Sequence, residues 1–254
     1  MRPVALITGA SSGIGRAFAE ELANRGYDLV LVARRTSLLQ EVANAVNQRG
    51  AKATVITADL THEEDVARIS RWITRHRINL LVNNAGIGLY GPVIHTDGDL
   101  EQALVRLHIQ VPLALTRAAL PDMIARKQGG IIQVSSSLAF FPTPYMAVYG
   151  AAKTFLLHYT EALAEELKGS GVTVTVVCPG STQSEFAERT GITQPYAIPA
   201  EQVVREALDG WEHQKTVVVT GIRNRWIAAL PRFLSRKAMR RIIAIFFRDR
   251  RPKH

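Results

Sequence analysis

Short apolar runs alternate with longer stretches of helical periodicity along most of this chain. Residues 4 to 8, VALIT, are β-rich and stop near glycine, and RAFAEELANRG then carries apolar side chains at helical spacing and closes at Gly26. That is a strand, a tight turn and a helix. The unit recurs as DLVLVA with SLLQEVANAVNQRG, ATVITA with EEDVARISRWITRH, and NLLVNNAG with a helical stretch from about residue 99 to 127. Strands separated by helical crossovers predict a parallel sheet. GIIQVSS and VTVTVVCPG flank a helix predicted over YGAAKTFLLHYTEALAEELKG, and TVVVTG adds a seventh strand. Right-handed crossovers put helices on both faces, so the predicted class is α/β with a doubly wound parallel sheet.

The last part of the chain departs from this pattern. RWIAALPRFLSRKAMRRIIAIFF clusters Trp226, Ile227, Leu230, Phe233 and Leu234, then Met239, Ile242, Ile243, Phe246 and Phe247, between arginines. The spacing predicts two short amphipathic helices, with Pro231 disturbing the first and Ser235 capping the second. Charge sharpens the boundary. Residues 222 to 254 hold eleven Lys and Arg and one acid, Asp249, whereas the rest of the chain carries 20 basic and 21 acidic groups. The net charge of +9 therefore belongs to the tail. The chain reads as one domain over residues 1 to 221 and a basic amphipathic extension over 222 to 254. Three roles stay open for that extension: packing on the body or a neighbouring subunit as a lid, contact with an anionic membrane surface, or nucleic-acid binding. Its aromatics follow helical spacing and form no stacking platform, so nucleic acid is not expected.

With 254 residues, 47% of them hydrophobic, the chain can bury a substantial core. Its single cysteine, Cys178, ends an apolar run and is expected to be a small buried side chain. The start has too short an apolar run for a secretory signal, and no stretch approaches the roughly 18 apolar residues of a membrane span. A cytoplasmic location is the expectation. The histidines show no ligand spacing with Cys or carboxylates, so no metal is expected.

Candidate chemistry begins after the first strand, where TGASSGIG places Gly9, Gly13 and Gly15 in a loop opening into a helix. Glycine permits the tight turn and lets backbone approach a pyrophosphate, while the first helical N–H groups point at the anion. Ser11, Ser12 and Ile14 complete a phosphate-binding loop of Rossmann-like character. Dinucleotide folds that take an unphosphorylated ribose usually place an acid at the end of the second strand. Here Ala33 stands there and Arg34 and Arg35 follow. Their cationic groups suit a 2′-phosphate, which favours NADP(H); solvated surface arginines are the bland alternative.

TGASSGIG, NNAG at 83 to 86, Ser136 and YGAAK at 149 to 153, in this order, resemble the short-chain dehydrogenase/reductase family over about residues 4 to 221. That resemblance implies an oxidoreductase interconverting a small-molecule ketone or aldehyde with an alcohol by hydride transfer. Tyr149 would be the general acid/base, Ser136 would hydrogen-bond the substrate oxygen, and Lys153 would hold the nicotinamide ribose while favouring the phenolate. Asp59 and Leu60 are expected near the adenine, Asn83, Ala85 and Gly86 beside the cofactor, and Pro179, Gly180 and Ser184 at the nicotinamide end.

One position departs from the family pattern. The asparagine usual in the helix before the serine strand is replaced by His108 in RLHIQV. His108 is read either as a member of a proton relay or as a structural substitute that alters the water chain. The resemblance also implies pairing of subunits through helices near 100 to 127 and 149 to 168, hence a homo-oligomer. The basic tail suggests an apolar substrate. A cofactor-binding regulatory or scaffold protein without turnover is the alternative, because a fold alone does not establish activity.

Overall fold

A computed structural model describes residues 2–183, 185 and 196–248. The alternating units become β1 (Val4–Thr8), α1 (Gly13–Asn24), β2 (Asp28–Ala33), α2 (Thr36–Gln48), β3 (Ala53–Thr57), α3 (Glu63–Arg75) and β4 (Leu80–Asn83). There follow α4 (Gly98–Val105), α5 (Val111–Ala125), β5 (Gly129–Val134), α6 (Ala147–Glu166), β6 (Val172–Cys178), α7 (Ala200–Glu212) and β7 (Val217–Val219). All strand pairings are parallel, in the order β3-β2-β1-β4-β5-β6-β7. This is the doubly wound α/β sheet that the pattern predicts. The order reverses between β1 and β4, where the helices of the two halves diverge and leave a crevice at the carboxyl ends of the strands.

The period of two along each strand divides the core into two layers. Ala5, Ile7, Leu29, Leu31, Leu80 and Val82 face the side covered by α1, α2 and α7. Leu6, Val30, Val32, Leu81 and Ile131 face the side covered by α3, α5 and the end of α6. Every residue of the central β4 is buried, whereas β3, at the sheet edge, has none buried. Each fully buried leucine or isoleucine contributes about 2 to 3 kcal/mol, which makes the central strands a rigid platform for the loops above them.

The helical stretch expected over 99 to 127 is interrupted. α4 passes into a π turn over Arg106–Gln110 before α5 begins. Pro112 sits in the first turn of α5 and has no N–H, so the α-helical bond from residue 112 to the carbonyl of His108 cannot form. The wider turn carries His108 at its centre. Helices widened this way commonly mark functional positions.

The tail forms α8 (Ile222–Ala229), a 3₁₀ turn over Leu230–Arg232 around Pro231, and α9 (Arg236–Arg248). Ser235 caps α9, its hydroxyl accepting from the Ala238 N–H at 3.2 Å. These are the two short helices that the sequence predicts. They pack on the body: Met239, Ile243 and Phe247 are buried with Leu104, Phe141, Met146 and Tyr149. Tyr90 fastens the far end by donating its hydroxyl to the Phe247 carbonyl. Glu206 fastens the near end, accepting from the Gly221 N–H at 3.0 Å and from Arg225 at 2.9 Å. Of the roles open for the tail, packing against the body is the one seen.

Candidate active site

One cavity of about 480 Å³ runs from the glycine loop, across the strand ends, to the tail helices. That volume lies within the range of small-molecule sites. At one end, Gly9, Ser11, Ser12, Gly13 and Ile14 line it. Gly9 and Gly13 have φ of 68° and 53°, left-handed values that favour glycine. Gly15 does not line the cavity. A Cβ there would fall 2.1 Å from the Gly9 carbonyl oxygen, so this glycine serves the close approach of helix and loop. α1 has no acid in its first turn, and its N-cap residue Ser12 makes no side-chain cap. The leading N–H groups of the helix are thus available to an anion.

Arg34, Arg35, Asp59 and Leu60 continue the lining. Arg35 donates to Ser12 Oγ at 2.8 Å and to Ser11 Oγ at 3.3 Å, and pairs with Glu185 at 3.0 Å. Arg34 is more exposed and lies 3.6 Å from Asp59. With Thr61 donating its hydroxyl and N–H to it and Arg34 nearby, the Asp59 carboxyl sits below the usual range even though burial opposes this. The two guanidinium groups and the helix terminus make this end rich in donors, with Arg34 balanced by Asp59 and Arg35 by Glu185, an arrangement that suits a dinucleotide phosphate.

Asn83 and Asn84 part company. Asn83 is buried beneath the cavity and donates its amide to Thr116 Oγ1 at 3.3 Å, while Asn84, Ala85 and Gly86 line the cavity. Asn84 ties the strand ends together by donating to the Thr8 carbonyl at 2.9 Å. Pro179 and Gly180 follow β6 and line the far side. Ser184, expected at the nicotinamide end, lies outside the described residues.

Ser136, Tyr149, Lys153 and His108 meet midway along the cavity. α6 carries Tyr149 and Lys153 one turn apart on its buried face. Ser135 fixes α6 against β5 by donating to the Lys153 carbonyl at 2.7 Å. Gly150 allows close contact with the preceding loop, since a Cβ would fall 2.8 Å from Thr143 Oγ1. Ser136 accepts from the Leu138 N–H at 3.2 Å and shares a hydrogen bond with the Tyr149 hydroxyl.

The Lys153 ammonium lies 5.6 Å from the centre of the Tyr149 ring and donates to the Val134 carbonyl at 2.7 Å. The expectation that Lys153 draws the phenol toward ionisation is not what this geometry gives. Burial pushes the Tyr149 phenol up to about 12, with Ser136 pulling weakly the other way. Burial likewise pulls Lys153 down to about 7. Both shifts come first from desolvation, and the further partners are Ser136 for Tyr149 and Cys178 for Lys153 rather than each other.

His108 stands with its ring 5.5 Å from that of Tyr149 and nearly perpendicular to it. Its Nε2 lies 3.2 Å from the Ile87 N–H and 2.8 Å from the Ile87 carbonyl, and its Nδ1 is buried without a partner among the described residues. Burial and the nearby Lys153 hold the imidazole well below its ordinary range, hence neutral. Gly86 makes room for it: a Cβ would fall 2.2 Å from the ring.

Beyond Tyr149 the wall is apolar, with Phe141, Met146, Ile227, Leu230, Ile243 and Phe247. The tail residues among these were singled out in the sequence by helical spacing alone. Asn224, also in the wall, was not. It sits where a Cβ on Gly180 would fall 2.2 Å from its side chain, a contact between segments far apart in sequence that no local pattern announces.

A family model for short chain dehydrogenases matches residues 3–194. The chain belongs to that family. It is 36% identical to the very-long-chain 3-oxoacyl-CoA reductase of Neurospora crassa over 212 residues, 80% of this chain and 63% of that protein. Among solved structures, a short-chain dehydrogenase from Sphingobium yanoikuyae in complex with NADPH superposes with a TM-score of 0.84. It is 33% identical and covers 91% of this chain, which covers 93% of it. A bulky-bulky ketone specific alcohol dehydrogenase from Comamonas testosteroni gives 0.80 at 32% identity, covering 88% and 89%. The chain spans about 60% of the length of the first curated relatives it matches. The family model is named for short chain dehydrogenases, and the Sphingobium yanoikuyae neighbour holds NADPH. No described helix is long and apolar enough to cross a membrane.

Proposed function

We propose that the protein is an NADP(H)-dependent reductase of an apolar ketone or aldehyde, working also in the alcohol-oxidising direction. The observation that carries this reading is the meeting of Ser136, Tyr149 and Lys153 in one cavity whose outer wall is apolar. Relatives support the substrate class: one is named for a very-long-chain oxoacyl thioester and a structural neighbour for ketones bulky on both sides.

The cofactor, when bound, supplies or takes the hydride. The α1 terminus with Ser11, Ser12 and Gly13 would hold its pyrophosphate, and Arg34 and Arg35 its 2′-phosphate. Ser136 positions the substrate oxygen. Tyr149, held protonated by burial, donates the proton in reduction, the direction its environment favours. Lys153 would hold the ribose hydroxyls and pass protons toward Tyr149. The neutral His108 takes the place of the family asparagine. Its Nδ1 needs a partner that no described protein group provides, and a buried water there would join it to the relay.

The same reading places the enzyme in the cytoplasm as a homo-oligomer. Exposed Leu100 on α4 and Ile124 on α5 support pairing through those helices. The test is NADPH consumption by the purified protein with medium- and long-chain ketones and aldehydes, and with NADH in parallel. Cofactor binding without turnover on any carbonyl would return the scaffold reading.

A further inference from the structure

Of the large apolar side chains exposed among the described residues, seven of twelve lie within 222–248. Ile222, Trp226 and Phe233 are 70%, 73% and 81% exposed. Leu230, Ile242 and Phe246 are half-exposed and also line the cavity, so the apolar wall beside Tyr149 continues out onto this surface. The same residues carry Arg223, Arg225, Arg232, Arg236, Lys237, Arg240, Arg241 and Arg248 and no acid. Arg225 pairs with Glu206 and Arg223 stacks on Tyr196. Arg232, Arg236, Lys237, Arg240 and Arg241 are exposed and make no ion pair among the described residues.

We propose that the outer face of residues 222–248 docks on an anionic lipid surface, and that the substrate cavity opens onto that face to take a carbonyl or alcohol amphiphile dissolved in the leaflet. An exposed patch combining Trp, Phe and Ile with unpaired cations is the composition of an interfacial helix, where the apolar residues enter the headgroup boundary and the cations meet anionic lipid. α9 suits this because its Met239, Ile243 and Phe247 side is anchored to the body, leaving Ile242, Ile245 and Phe246 toward the outside. Charge decides between lipid and a second copy of this chain. A two-fold interface would lay this patch on itself and oppose cation with cation, whereas an anionic leaflet complements it. The docking stands on the surface alone; the substrate class rests on the reductase reading.

The experiment uses the full chain with vesicles of phosphatidylcholine alone or with phosphatidylglycerol. Sedimentation should recover the protein with the anionic vesicles and not the neutral ones, and less of it as salt rises from about 0.05 to 0.5 M. At about 1 kcal/mol per basic residue, Arg236→Ala, Arg240→Ala and Arg241→Ala together should cut partitioning about 100-fold. Trp226→Ala with Phe233→Ala should weaken it while leaving the rate on a water-soluble ketone unchanged, and should abolish faster turnover of a long-chain ketone presented in anionic vesicles. Failure to bind anionic vesicles, equal binding to neutral ones, or a shift in assembly size caused by the Trp226/Phe233 pair would overturn the proposal. If vesicle binding follows the expected pattern but no ketone is turned over in any form, the reductase reading fails and the docking surface stands.

Discussion

Lys153 reaches back from α6 to the carbonyl of Val134 at 2.7 Å, while its ammonium stays 5.6 Å from the centre of the Tyr149 ring. The pair is close enough to act on a common substrate, yet each is buried well enough that its charged form is disfavoured. Tyr149→Phe should therefore lower the reduction rate by at least about 100-fold, the usual worth of a positioned proton donor, while NADPH binding changes little. Near-normal turnover in this variant, measured under saturating cofactor, would remove Tyr149 from its role.

The depressed Lys153 also makes a stability prediction for the cofactor-free protein. Between pH 7 and its ordinary value of 10.5, the unfolded chain holds a proton on Lys153 that the folded protein has released. The unfolded state then binds more protons, so this residue makes stability rise with pH at up to about 1.4 kcal/mol per pH unit. Cys178, pushed up to about 12 by burial, works the opposite way above pH 9. Denaturant melts from pH 7 to 9 should show a rise in the wild type that Lys153→Met lacks. Parallel curves would mean that Lys153 stays charged in the fold.

Arg35 is held over the glycine loop by Ser11 and Ser12, which places it better than the more exposed Arg34 to meet a ribose phosphate. Arg35→Ala should weaken NADPH about 10- to 100-fold and leave NADH nearly unaffected, as expected for loss of one charge-assisted hydrogen bond. Arg34→Asp should swing preference further toward NADH by repelling the phosphate. Titration of both cofactors against each variant gives the ratio. An unchanged ratio in both would make these arginines ordinary surface charges.

For His108 the informative comparison is between asparagine and alanine. If the imidazole serves the relay, His108→Asn should retain most of the rate and His108→Ala should lose about 10-fold or more with a displaced pH profile. Equal losses in kcat with matching drops in melting temperature would show a packing role only.

Phe247 is buried in the cavity wall with its ring centre 6.3 Å from that of Tyr90. Phe247→Ala should cost about 3 kcal/mol or release α9 from the body, whichever is cheaper, and in either case raise KM for long apolar ketones. Hydrogen exchange at residues 236–248 distinguishes release from uniform destabilisation. Protection and KM like those of the wild type would contradict a tail that walls the cavity.

The strands, their order of appearance and the glycine loop were all legible from the sequence, because the period of an apolar run and the position of a glycine are local properties of the chain. The same holds for the two tail helices, whose spacing, Pro231 and Ser235 cap mark them without reference to the body. Tyr149 and Lys153 could be paired because one helical turn brings them together. Three things needed the tertiary structure. The side of Asn83 that faces Thr116 rather than the cavity depends on how β4 meets α5. The expected charge coupling of Tyr149 with Lys153 yielded to desolvation, which is set by everything packed around them and by nothing in the YGAAK motif. Most of all, the tail's place over the cavity rests on contacts of Met239, Ile243 and Phe247 with Leu104, Phe141 and Met146. Helical spacing states that α9 has an apolar face; only the fold of residues 93 to 143 positions away decides what that face covers.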